Sequence, residues 1–102
     1  MNYKFRKKPL TIEAFQMTKE RRWDNIDWPQ WLNIAWNTEP RVGGMWCSYK
    51  EDESTQETLY IGTPEGIYKI SWGDWIIQGI KGELNACGPD IFEQTYEAVE
   101  EK

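Results

Sequence analysis

The carboxylates Asp74, Glu83 and Asp90 each stand beside turn chemistry, in "GDW", "KGE" and "GPD". Brought together in space, they would supply the paired acids that glycoside hydrolysis or metal-assisted phosphoryl transfer needs. No spacing in the chain demands that convergence, and acids at turns are ordinary surface residues. The two thiols, Cys47 and Cys87, are far apart in a chain that has no histidine. They do not make up the four Cys or His ligands of a structural zinc site. Without histidine there is no Ser-His-Asp or Cys-His pairing, and Lys or Arg near Cys87 would only lower its pKa. "VGGM" and "IGTPEG" lack the spacing and the following Lys-Ser/Thr of a phosphate-cradling loop. The expectation is a protein that is not an enzyme and holds no cofactor or metal.

What the chain has in abundance is tryptophan, at positions 23, 28, 31, 36, 46, 72 and 75 of 102 residues. That exceeds what one small core takes, so some of these rings lie at a surface or an interface. The stretch "SWGDWIIQGIKGE" sets Trp72 and Trp75 around Gly73 and Asp74. Glycine supplies the backbone conformation of a tight corner, and aspartate accepts hydrogen bonds from neighbouring backbone N–H groups. The structural reading gives one ring to the core and the other to the sheet edge. The functional reading makes Trp72, Asp74 and Trp75 a stacking platform that reads a base or a backbone amide.

Charge is uneven along the chain. Residues 1–22 carry seven Lys or Arg against Glu13 and Glu20, whereas residues 23–102 carry five against fifteen Asp or Glu. Duplex nucleic acid is disfavoured as a partner, because neutralising phosphates takes a basic face. An acidic body suits docking on a basic partner. No run approaches the roughly 20 apolar residues that span a bilayer. The basic start "MNYKFRKK" leads into Pro9 and Glu13 rather than a signal-peptide apolar region. The expected location is the cytoplasm in which the chain is made, with no membrane partner and with both cysteines reduced.

The elements that must position these residues form a single domain, 1–102, of α+β class. The expected architecture is a small antiparallel β-meander or partly closed barrel with one amphipathic helix packed on it. "PLTIEAFQM" reads as a strand whose alternation slips between Ala14 and Phe15, through a bulge or cover on both faces. Thr18–Asn25 reads as a loop or short turn. A helix is predicted over Trp28–Trp36, where Trp28, Trp31, Leu32, Ala35 and Trp36 make one apolar stripe. Asp27 and Gln30 offer a capping box, Ile26 a staple onto Trp31, and Asn37 and Pro40 an end. Strands follow in "GGMWCSYK", "TLYIGT", "GIYKISW", "DWIIQGI" and "ELNAC", around a solvated loop "EDESTQE". "TPEG" and the two-residue Lys81-Gly82 read as hairpin connections. In "GIYKISW", Tyr68, Ile70 and Trp72 share one half-buried face. "PDIFEQ" offers one helical turn starting at Pro89, and "TYEAV" a last extended piece.

Three stretches together, "MNYKFRKKPLTIEAFQM", "LYIGTPEGIYKISWGDWIIQGIKGE" and "PDIFEQTYE", resemble a family of small proteins encoded by tailed phages and prophages. Its elements are an Ile-Glu-Ala-Phe-Gln strand, a Gly-Asp-Trp/Tyr-Ile turn and a Pro-Asp-Ile-Phe-Glu-x-Thr-Tyr-Glu close. Here Trp72 stands where many relatives have proline before the Gly-Asp, and Gly88 where many have lysine. The resemblance implies a viral accessory protein and carries over no catalytic residue. Three functions follow. The first is a non-enzymatic binding protein that inhibits a host defence protein through an acidic and aromatic surface, Glu51, Asp52 and Glu53 included. The second is a nucleotide sponge, in which Trp72, Trp75, Trp28 and Trp31 stack bases and Arg6, Lys7 or Lys8 meet phosphates. The third is a structural virion or lysogeny protein. A homodimer is expected from the aromatic surplus.

Overall fold

The computed structural model of the chain describes residues 3–4, 11–49 and 57–99. Arg6, Lys7, Lys8, Glu51, Asp52 and Glu53 lie outside them. The elements in chain order are β1 (Glu13–Gln16), α1 (Lys19–Trp23), α2 (Gln30–Trp36), β2 (Met45–Tyr49), β3 (Glu57–Thr63), β4 (Gly66–Ile70), β5 (Trp75–Gln78), β6 (Leu84–Cys87) and α3 (Pro89–Thr95). The strands make two antiparallel three-stranded sheets, ordered β1-β5-β6 and β2-β3-β4. Among the described residues this is the expected α+β meander, though the sheets do not close into a barrel and there are three helices rather than one.

Between the sheets lies one core. The β1-β5-β6 sheet contributes Phe15, Ile76 and Leu84, the other sheet contributes Met45, Leu59, Ile61 and Ile70, and Met17 is fully buried beside them. Leu32 and Ala35 of α2 and the preceding Trp28 complete the cluster. A seven-residue helix is too short to be stable alone, so α2 exists because its apolar stripe is buried here. Asn37 caps its C-terminus as the sequence indicates.

The N-terminal end of α2 differs from the capping box expected at Asp27 and Gln30. The helix starts at Gln30, its N-cap is Pro29 in an extended conformation, and no side chain caps it. A residue before proline is pushed out of the helical region, which removes Trp28 from the helix and Asp27 from capping distance. Ile26 does not staple onto Trp31 and is 84% exposed. Upstream, Thr18–Asn25 is not a loop: α1 forms there, its first turn capped by the Thr18 hydroxyl, which accepts from the Arg21 N–H at 3.1 Å. α1 buries no residue, so it left no apolar stripe to read. Its cations lie on aromatic faces instead. The Arg22 guanidinium stands 4.2 Å from the Trp36 ring centre and Arg21 stands 5.0 Å from that of Phe15.

β1 pairs with β5 in unbroken register, with Ala14 opposite Ile77 and Phe15 opposite Ile76, so there is no bulge. The slip in alternation reflects cover on both faces: Phe15 faces the core, and Ala14 faces the side on which α3 lies. Along β4 only Ile70 is buried, so Tyr68 does not share its burial, and Trp72 falls beyond the strand. Thr63–Gly66 closes the β3-β4 hairpin, with the Thr63 hydroxyl donating to the Gly66 carbonyl at 2.7 Å. The β5-β6 connection is a three-residue loop rather than the pair Lys81-Gly82. The Gly79 N–H donates to the Glu83 carbonyl at 2.8 Å, and the Gly82 N–H donates to the Gly79 carbonyl at 3.0 Å.

The segment from α2 to β2 lies directly on β3. The Gly43 N–H donates to the Gly62 carbonyl and the Gly62 N–H to the Gly44 carbonyl, both at 2.9 Å. Val42 forms a parallel bridge with Gly62. A Cβ on Gly62 would fall on the backbone carbonyl of Arg41.

Candidate functional site

Directly opposed residues in a sheet share a face, and neighbours along a strand alternate. On the β1-β5-β6 sheet, Phe15, Ile76 and Ala86 face the core. Ala14, Trp75, Ile77 and Cys87 therefore present a second apolar face. α3 lies against it, begun by Pro89 at the position where a missing N–H costs nothing. The Phe92 ring stacks on Trp75 at 4.0 Å with only 5° between planes, and Tyr96 follows at 5.0 Å from Phe92. Ile77 is 7% exposed yet stands outside the main core cluster, as expected of a residue on this second face.

Beside α3 the cover is incomplete. A groove of about 440 Å³ opens there, walled by Ile12, Trp31, Trp75, Phe92, Tyr96 and Val99. Glu13 and Glu97 also line it, and among the described residues no Lys or Arg does. Of the rings singled out from sequence, Trp31 and Trp75 are thus brought together. Trp28 and Trp72 are not. Trp28 is 6% exposed in the core, with Phe15 and Trp36 edge-on to it and its indole N–H donating to the Arg21 carbonyl at 2.7 Å. Trp72 is 43% exposed on its turn and does not line the groove. Neither ring of that corner fills the core, because Trp75 is committed to Phe92.

Asp74 is a turn residue. It is 8% exposed, its Oδ2 accepts from the Ser71 N–H at 2.9 Å, and its own N–H donates to the Ser71 carbonyl at 3.0 Å. Gly73 has φ +101°, a conformation that side-chain-bearing residues resist. That twist lets Gly73 and Asp74 clamp the end of β1. The Gly73 N–H donates to the Met17 carbonyl at 2.7 Å, and the Met17 N–H donates to the Asp74 carbonyl at 2.9 Å. The stacking platform of Trp72, Asp74 and Trp75 is therefore not assembled. Glu83 is likewise occupied, accepting from the Lys81 N–H at 3.1 Å. Among the described residues no group of three or more His, Cys, Asp or Glu is arranged to hold a metal ion.

Phe92 and Tyr96 were missed from sequence. Their spacing of four was the available sign, but a single helical turn followed by an extended piece hid it. α3 continues to Thr95, and only from Tyr96 is the backbone extended.

Trp31 differs from Trp28 in one respect that matters. Its indole Nε1 is buried without a hydrogen-bond partner. An orphaned donor costs about 1–3 kcal/mol, so this indole is held on the groove wall at the expense of stability. Trp31→Phe is expected to keep the unfolding free energy within about 1 kcal/mol, because the orphan leaves with the indole. Trp28→Phe is expected to cost about 2 kcal/mol through lost packing and the lost bond to Arg21. Urea denaturation of both variants checks this, and equal losses would contradict the assignment.

The two cysteines are thiols, not a disulfide. Burial pushes the Cys87 thiol up, and the Asp74 carboxylate adds to the shift. Tyr68 is raised by burial first, then by Asp74 and Cys87. Both are acids that stay protonated longer in the folded chain than in the unfolded one. Above about pH 9 the folded state therefore binds more protons, and stability falls as pH rises. Cys87→Ser is expected to make the decline of the urea midpoint above that pH shallower than in the wild type. Superimposable pH profiles would sink this link.

No family model, curated protein or solved structure matches the chain. No helix among the described residues is long and apolar enough to cross a membrane.

Proposed function

We propose that the chain is a non-enzymatic binding protein that takes hold of another protein through the aromatic groove and its acidic surroundings. The observation that carries this reading is the groove itself, about 440 Å³ between Trp31, Trp75, Phe92 and Tyr96. A space of that size accepts a side chain or a small ring, and aromatic residues are the usual anchors of protein interfaces. Its charge favours a basic partner. Glu13 and Glu97 line the groove, and residues 82–99 add Glu83, Asp90 and Glu93 without one Lys or Arg. The resemblance to phage-encoded proteins supplies the setting, in which the partner is a host protein such as a defence nuclease or a signalling effector. In this reading Glu51, Asp52 and Glu53 add to the negative charge of the chain, and self-association places two grooves on one particle.

The meeting of Trp31 and Trp75 in one groove also suits a nucleobase, which keeps the nucleotide sponge as a second reading. Its phosphates would there face Glu13 and Glu97, so the compensating charge would have to come from Arg6, Lys7 and Lys8. Native mass spectrometry of the tagged protein from bacterial extract separates the readings. A gain the size of a protein, lost in Tyr96→Ala and weakened by salt, supports capture. A gain of a few hundred daltons supports the sponge and counts against capture. Bare monomer or dimer counts against both and favours a structural role in the virion or in lysogeny.

A further inference from the structure

The groove combines two chemistries that few ligands satisfy together. Trp31, Trp75, Phe92 and Tyr96 present rings, and Glu13 and Glu97 present carboxylates. A neutral apolar group would serve the rings but leave the carboxylates beside it without a charge partner. An anion would be repelled by both acids. A cation suits all of them, since a ring face attracts positive charge and a carboxylate pairs with it. Between the two basic side chains the shape decides. A guanidinium is flat and stacks on a ring while its edge donors remain free for carboxylates, whereas an ammonium is a compact, strongly hydrated point charge.

The chain already uses this pairing inside itself, with Arg22 over Trp36 and Trp23 and Arg21 over Phe15. None of those residues lines the groove. Among the described residues no such cation lies on Trp31, Trp75, Phe92 or Tyr96. We propose that the groove receives an arginine side chain of the partner protein, an inference that rests on the groove being a protein-binding site.

Tryptophan fluorescence of the full-length chain, titrated with the blocked tripeptide acetyl-Gly-Arg-Gly-amide, tests this. Lysine, citrulline and glutamate counterparts and AMP serve as comparison probes. Citrulline keeps the shape of arginine and removes its charge. The expected result is quenching by the arginine peptide with a dissociation constant at least about tenfold below that of the citrulline peptide, a gap that narrows with salt. The Glu13→Gln/Glu97→Gln double variant, altered only at exposed positions, is expected to lose that preference and keep its fold. Equal quenching by arginine and citrulline overturns the proposal, and so does binding of AMP without binding of the arginine peptide. The underlying reading fails separately. If Tyr96→Ala abolishes capture of the partner protein while arginine peptides leave the fluorescence flat, the groove stands and arginine falls. If Tyr96→Ala captures the partner as before, the groove itself is not the binding site and both fall.

Discussion

Gly62→Ala is expected to cost about 4 kcal/mol, enough to leave a domain of ordinary stability largely unfolded in mild denaturant. The reason is local and unyielding. Gly62 lies inside β3, and its N–H and carbonyl are both bonded, at 2.9 Å, to the segment that enters β2. A methyl group at this position meets the carbonyl of Arg41, which is backbone and not the free end of a side chain. Relief means moving one strand away from the other, which strains the packing by about 1–3 kcal/mol. It also breaks two hydrogen bonds worth about 1 kcal/mol each. Gly66→Ala is the control. That glycine has φ +136° but nothing within 4 Å of an added Cβ, so only backbone conformation opposes the change. Its cost is about 1 kcal/mol. Urea denaturation followed by tryptophan emission compares them, and a Gly62→Ala midpoint no lower than that of Gly66→Ala would disprove the close approach.

Phe92→Ala is expected to cost about 3 kcal/mol and to abolish partner capture while both sheets persist. α3 is too short to hold itself together and buries no residue fully, so it depends on what its ring touches. That ring stacks on Trp75 at 4.0 Å and contacts Tyr96 at 5.0 Å. Truncation removes both contacts, each worth about 1 kcal/mol beyond the apolar area they cover. None of the lost atoms belongs to the main core cluster, which spans the two sheets and α2. The variant should therefore show faster proteolysis after Gly88 and a red-shifted tryptophan emission, with the far-ultraviolet strand signature retained. Phe92→Tyr, which keeps the ring, should retain the stack and the binding. A Phe92→Ala protein that still captures the partner would detach function from this groove.

The meander was readable in the chain because its turns are written locally. Thr63–Gly66 and the alternation that puts Leu59 and Ile61 on one face are short-range features. α2 was readable from the spacing of Trp31, Leu32, Ala35 and Trp36. Its start was misplaced because Pro29 acts on the residue before it, a backbone effect that an apolar stripe does not report. α1 was invisible because it buries nothing. The groove was half readable. Trp31 and Trp75 stood out by residue type, but what joins them to Phe92 and Tyr96 is the second face of a sheet built from distant segments. The same holds for Asp74. Its role as a turn residue was legible from Gly73 beside it, while its influence on Cys87 and Tyr68 arises only when three strands come together.

The order of strands in the two sheets has a consequence for how the chain reaches this state. β2, β3 and β4 follow one another, so their sheet can form from a continuous stretch by closing short loops. The other sheet has β1 at its edge, paired with β5 through Phe15 and Ile76, with the whole β2-β3-β4 sheet lying between them in sequence. On a ribosome, β1 emerges early and waits without a partner until the corner at Gly73 and Asp74 has been made. Closing that long loop carries the largest entropic cost in the fold and comes late. The clamp between Met17 and the corner is then the latch of the folding reaction. Variants that weaken it are expected to slow folding more than those in the β3-β4 hairpin.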